Sequence, residues 1–147
     1  MTQVSRFPLR KEIEERIYEV FLESIGMVRS RSEVVSLIDD LLSPTEKIML
    51  AKRLSIALLL AKKYDQRTIA KTLKVGLETV NKVNRNMRSG KGGYRMVAGN
   101  ILRNEKLKEF IQKIDNFIND IFPPKGRDWR QWRQDRWEEK QRNQKPF

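Results

Sequence analysis

The chain is predicted to be all-α, and three observations carry that reading. Apolar residues recur at three- and four-residue steps almost everywhere before Pro123, helix-start signals stand at the right places, and Pro123-Pro124 closes the pattern firmly. Residues 11–25 set Ile13, Ile17, Val20, Phe21 and Ile25 on one stripe. Ser32 is placed to cap a second helix, in which Val34, Leu37, Ile38 and Leu41 repeat. Ser43-Pro44-Thr45-Glu46 is the clearest start in the chain: Ser43 caps, Pro44 takes the first position where a missing N–H costs nothing, and Glu46 reaches back. The helix it opens is expected to run to about Tyr64. From Ile48 to Ala61 it is apolar nearly all round, so it must sit at a centre or in a subunit interface.

Residues 64–88 have the spacing of a helix-turn-helix, with bounds of about 65–88. Asp65 can cap a short helix through Lys74, since its carboxylate accepts from free N–H groups and complements the dipole. Ile69 and Leu73 bury one face, and Ala70 is small where crossing helices approach. Val75 plugs the turn, Gly76 relaxes it, and a second helix starts near Leu77. Val80 and Val83 pack it back, leaving Glu78, Asn81, Lys82, Arg85 and Arg88 outward. Lys74 departs from the pattern, standing where such turns usually carry glycine. Apolar spacing alone also fits two short helices of an ordinary bundle.

Charge separates these readings. Residues 1–61 hold nine basic and nine acidic side chains, whereas 62–108 hold thirteen against three. Residues 109–122 hold one against three, and 123–147 eight against four. Most of the net charge of +12 therefore lies on the helix-turn-helix and the segment after it. A local basic surface beside a groove-sized helix suits a polyphosphate partner, because each neutralised phosphate releases counterions.

With no cysteine there are no disulfides or thiolate metal sites, and with no histidine the commonest general base and metal ligand is missing. Asp39 and Asp40 read as a solvated helix end rather than a carboxylate metal site. No catalytic residue, metal or cofactor is expected. The N-terminus lacks the long apolar run of a secretory signal, and Leu54–Ala61 is far short of the roughly 20 residues a bilayer requires. No membrane partner is expected, and a cytoplasmic, nucleoid-associated location is.

After Arg88, SGKGGYRMVAGN carries Gly90, Gly92, Gly93 and Gly99 and reads as a hinge, with Lys91 and Arg95 in reach of a DNA backbone. A last helix, about 101–121, has Leu107, Phe110, Ile111, Ile114, Phe117, Ile118 and Ile121 in step, enough to wrap a core or pair with a second chain. Residues 123–147 form a basic tail that interleaves Trp129, Trp132 and Trp137 with Arg130, Arg133 and Arg136. Stacking on nucleic acid, docking in an apolar groove, lying at a membrane surface and folding back on the protein's own core all fit it. The expected organisation is a helical domain over 1–122 and this tail.

Residues 39–90 resemble the Trp repressor superfamily, most of all the bacterial Trp-repressor-like branch that does not bind tryptophan. The family's Leu-Thr-Pro-x-Glu start is matched by Leu42-Ser43-Pro44-Thr45-Glu46, its mid-helix arginine by Arg53, and its Ser-Gln-Arg-Glu opening by Asp65-Gln66-Arg67-Thr68. Gly92-Gly93-Tyr94 matches a segment that branch tends to carry. The resemblance implies an intertwined all-helical homodimer that binds double-stranded DNA and regulates transcription, most simply as a repressor. By position it implies operator contact at Gln66, Arg67, Gly76, Leu77, Glu78, Thr79 and Asn81, with Lys71, Lys82, Arg85, Arg88 and Lys91 on the backbone. Chemistry independently favours Asn81 on adenine and Arg67 on phosphate or guanine, while Glu78 either accepts from a cytosine amine or repels a wrong register. Where tryptophan-responsive members line the indole pocket with arginine and glycine, this chain has Lys82 and Val83, so tryptophan is not expected as co-repressor although Arg53 and Ser43 keep the other wall. The alternatives are a general nucleoid or mobile-element DNA binder and, in another class, an interaction module using the C-terminal helix and tail. An enzyme is not expected.

Overall fold

A computed structural model of the chain describes residues 6–122 and 128–143. Among them the structure is all-α: α1 (Lys11–Met27), α2 (Arg31–Leu41), α3 (Pro44–Ala61), α4 (Gln66–Leu73), α5 (Leu77–Ser89), α6 (Gly93–Arg103), a short 3-10 turn (Glu105–Leu107), α7 (Lys108–Ile121) and α8 (Trp129–Asn143). The chain divides into two compact units, Met1–Ile48 and Met49–Phe147.

In the first unit α1 carries Glu12 and Glu14 in its first turn, where they complement the helix dipole. The cap of α2 is Ser30, not Ser32. Its hydroxyl accepts from the Glu33 N–H at 3.2 Å, and the Glu33 carboxylate accepts from the Ser30 N–H, a reciprocal box that Ser32 sits too far into the helix to make. The expected box at Ser43 is present. Ser43 accepts from the Glu46 N–H at 3.3 Å and donates its own N–H to the Glu46 carboxylate at 2.8 Å, which holds that carboxyl below its ordinary value. Lys47 pairs with Asp39 at 2.6 Å across the α2–α3 corner. No described residue of this unit is buried, and Ile13, Ile17, Val20, Phe21 and Ile25 of the α1 stripe are all exposed.

The second unit has a core. Ile56, Ala57 and Leu59 of α3 meet Ile69 of α4, Val80 and Val83 of α5, and Ile118 of α7. Ile56, Ile69 and Val80 are wholly enclosed. The all-apolar reading of α3 therefore resolves along its length: residues 56–59 are the centre, while Ile48, Leu50 and Leu54 lie exposed.

Helix ends differ most from expectation. α3 stops at Ala61 rather than near Tyr64, because Lys63 turns left-handed (φ 67°) and the N–H groups of Lys63 and Tyr64 fold back to the Leu60 and Leu59 carbonyls. That turn presents Tyr64 to the core. Its hydroxyl donates to Asp115 of α7 at 2.5 Å, and Lys62 pairs with the same carboxylate. The expected helix over 101–121 is interrupted at Asn104, whose side chain accepts from the Lys106 N–H at 2.9 Å and seeds the 3-10 turn. The expected hinge is also mostly helix, since α6 already begins at Gly93. Only Gly90 and Gly92 require glycine there: a Cβ at Gly90 would lie 2.3 Å from the Asn86 carbonyl oxygen, and Gly92 has φ 85°. α7 does end at Ile121; Pro123-Pro124 lies outside the described residues.

Part of the tail folds back. α8 buries Trp132, and Arg136 lies over the Trp132 ring at 5.7 Å while pairing with Asp120 of α7 at 2.5 Å. Trp137 remains 63% exposed.

Candidate nucleic-acid interface

The site is built from α4, its turn and α5. Asp65 starts α4 as expected, accepting from the Thr68 N–H at 3.0 Å and the Thr68 hydroxyl at 2.6 Å. α4 then ends in the same kind of turn as α3. Lys74 adopts φ 54°, and the Val75 N–H closes on the Ala70 carbonyl at 3.1 Å. Lys52 of α3 donates to the Lys74 carbonyl at 3.5 Å. The left-handed position is thus occupied by Lys74, not relieved by Gly76. Gly76 is an ordinary extended cap residue (φ −68°) whose missing Cβ faces open space.

α5 begins at Leu77 with Val80 and Val83 inward. At 100° per residue, Leu77, Glu78, Asn81, Lys82, Arg85 and Arg88 share the opposite arc. Leu77, Glu78, Lys82, Arg85 and Arg88 are exposed and Asn81 is half-buried. Glu78 pairs with Arg85 at 3.3 Å, but both side chains stand in solvent, where such a pair is worth well under about 1 kcal/mol. On α4, Arg67 and Lys71 are exposed and Gln66 is half-buried at the helix start. Thr79 lies off the arc beside Val83, and Lys91 lies beyond the helix, between Gly90 and Gly92. Gly76 offers no side-chain cap to the first amides of α5, and a Cβ on it would meet nothing within 4 Å, a setting that leaves room for a phosphate oxygen at the helix start.

Behind Thr79 is a cavity of about 220 Å³ lined by Arg53, Glu78, Lys82, Val83, Asn86 and Tyr94. Val83 gives its branched side chain to the core and is 3% exposed. Tyr94 lines the cavity from α6 while also packing against the core, a role that the Gly-Gly-Tyr sequence did not announce. Ser43 spends its hydroxyl on the Glu46 N–H. Sequence reasoning also passed over Lys63 and Asn84, which with Arg95 line a larger groove on the same unit. The described residues hold no cluster of acidic side chains able to bind a metal ion. No described helix is long and apolar enough to cross a membrane.

An all-helical chain with this arrangement falls in a known class. The family model described as Trp repressor protein matches residues 17–102, from within α1 to the end of α6, and the chain belongs to that family. Its members are DNA-binding transcription regulators rather than enzymes. The match covers neither α7 nor α8. Comparison with curated proteins and with solved structures gives no match.

Proposed function

We propose that this protein is a homodimeric transcription repressor that reads double-stranded DNA through a helix-turn-helix made of α4 and α5. The observation that carries the reading is the outward arc of α5: a cationic, exposed strip on a rod of major-groove width, anchored from behind by two buried valines. Asn81 and Arg67 read base edges or the adjoining backbone, while Lys71, Lys82, Arg85, Arg88 and Lys91 hold phosphates. Gln66, Gly76, Leu77 and Thr79 allow close approach at the helix starts. Glu78, by partly neutralising Arg85, tunes which register is accepted. Repression follows from occupancy of a site with two-fold symmetry.

The dimer reading is supported by the first unit, where the α1 stripe finds no cover among that unit's own described residues. Residues 1–122 constitute the DNA-binding domain and 123–147 an appendage, in a cytoplasmic, nucleoid-associated protein. Tryptophan is not the effector, because Val83 and Tyr94 crowd the cavity where a ring would slide; calorimetric binding of tryptophan would refute this.

The test is a selection for bound genomic duplexes followed by variants. Asn81→Ala and Arg67→Ala are expected to relax specificity, each at a cost of about 1–3 kcal/mol on the preferred site. Lys71→Ala should weaken all sequences alike and lower the salt slope by about one. Equal losses on preferred and random DNA for all three would sink direct readout.

A further inference from the structure

On the second unit, the ends of α3 and α5, the start of α4 and one side of α6 enclose an open groove of about 730 Å³. Its apolar floor includes Leu60, Met87 and Leu102, and three cations, Lys63, Arg88 and Arg95, line it. No carboxylate lines it, and none of these three side chains has an ion-pair or hydrogen-bond partner among the described residues. Some cations elsewhere are paired, among them Lys47 with Asp39, Lys62 with Asp115, Lys108 with Glu105 and Arg136 with Asp120. What sets the groove apart is that three cations converge on one concavity that no carboxylate lines. The smaller cavity behind Thr79 carries Glu78 beside its own cations. Like charges lining one concavity repel, and low-dielectric walls focus their field on whatever enters. Asn84 and Gln66 add neutral hydrogen-bonding groups, and Gly99 leaves one wall without a side chain.

From this we infer that the groove is a binding site for a small organic anion: an apolar, ring-sized body on Leu60, Met87 and Leu102, with a carboxylate, phosphate or sulfonate held by Arg95, Lys63 and Arg88. The volume falls within the usual range for small-molecule sites, and a few placed polar groups over an apolar floor is the usual composition. Gln66 and Arg88 also belong to the proposed DNA face, so the anion competes with backbone phosphate and lowers DNA affinity. That consequence, unlike the site itself, rests on the DNA reading above.

The test uses the full chain and anilinonaphthalene sulfonate, an aromatic anion whose fluorescence rises on binding. Saturable binding is expected, weakened roughly tenfold by Arg95→Gln and by Lys63→Gln, each of which removes one charge-assisted contact. Lys106→Gln, which lies outside the groove, should leave it unchanged. Phenylnaphthylamine, the same ring system without the sulfonate, should show no such dependence on Arg95 or Lys63. Circular dichroism of each variant guards against misfolding. Equal affinity in the wild type, Arg95→Gln and Lys63→Gln would overturn the site, as would equal sensitivity of the uncharged probe. In a second arm the sulfonate should displace a bound duplex from the wild type and far less from Arg95→Gln. Equal displacement from both would refute the competition. Failure of any duplex to bind would instead refute the DNA reading, leaving the anion site to stand or fall on the first titration.

Discussion

Residues 1–48 and 49–147 are written in the same code of three- and four-residue apolar steps, yet they satisfy it differently. In the second unit part of each stripe has found another, Ile56 and Leu59 meeting Ile69, Val80, Val83 and Ile118, while Phe110, Phe117 and Ile121 of α7 stay exposed. In the first, α1 presents Ile13, Ile17, Phe21 and Ile25 with none of them buried. Periodicity therefore states which face must leave water, but not which molecule covers it. Where the cover lies within the chain, the unit has a stability of its own. Where the cover is a second copy, as proposed for α1, stability would depend on protein concentration.

The largest effect should come from charging the uncovered face. Phe21→Glu, alone or with Ile17→Glu, is expected to abolish self-association, measured by sedimentation equilibrium against a dimeric wild type. A charge cannot enter an apolar interface unpaired, so the loss should be complete rather than graded. A wild type that stays monomeric at high concentration would break the comparison, because the stripe would then need no cover. In the second unit, Ile56→Ala is expected to cost about 2–5 kcal/mol in denaturant unfolding, since it leaves a cavity at the most enclosed point of the core. Its dimer affinity should change far less than that of Phe21→Glu. Similar behaviour of the two variants in both assays would mean that the units are not energetically distinct.

A smaller effect probes how the second unit is pinned. The Tyr64 hydroxyl is pushed up to about 12, first by burial and then by its hydrogen bond to, and the charge of, Asp115. A group that holds its proton more tightly when folded stabilises fully below its ordinary value of 10.0, and this contribution is lost as pH rises toward 12. Tyr64→Phe is thus expected to lower stability by about 1 kcal/mol at neutral pH. Wild type and variant should then converge between pH 10 and 12 in paired urea titrations. A gap that stays constant over that window would show that the hydroxyl contributes nothing through its proton.

The sequence was most legible where a side chain acts on its own neighbourhood. Ser43-Pro44-Thr45-Glu46 marked the start of α3 because both partners of the box lie within one turn, and Asp65 marked α4 for the same reason. Val80 and Val83 marked the inner face of α5, and the charge count marked the outer one. The ends of α4 and α7 were legible, at Lys74 and Ile121, but the end of α3 was not. Lys63 takes a left-handed turn that lysine does not favour and nothing in its neighbourhood announces it, whereas at Lys74 the motif position pointed to a turn that the residue type alone does not. At Asn104 the apolar rhythm continues across a real break, so spacing hid what one asparagine side chain does. Burial of Trp132 goes with the pairing of Asp120 and Arg136, sixteen residues apart, a tertiary fact that local pattern could not contain.

Gly76 is where fold and proposed function make opposite demands, and it offers the finest test. The sequence suggested that its flexibility relaxes the turn, but its φ is −68° and a Cβ there would meet nothing within 4 Å. The turn is made by Lys74, so the fold does not need glycine at position 76. As the cap of α5 it even leaves stability unclaimed: a serine hydroxyl there would accept from an N–H of the first turn and add a few tenths of a kcal/mol. Gly76→Ser should therefore raise the thermal midpoint slightly while lowering DNA affinity, because the added side chain stands where the helix start would approach phosphate. A variant that gains stability and keeps full affinity would mean that no duplex comes close to this turn. The groove contact would then have to be sought further along α5, toward Arg85 and Arg88.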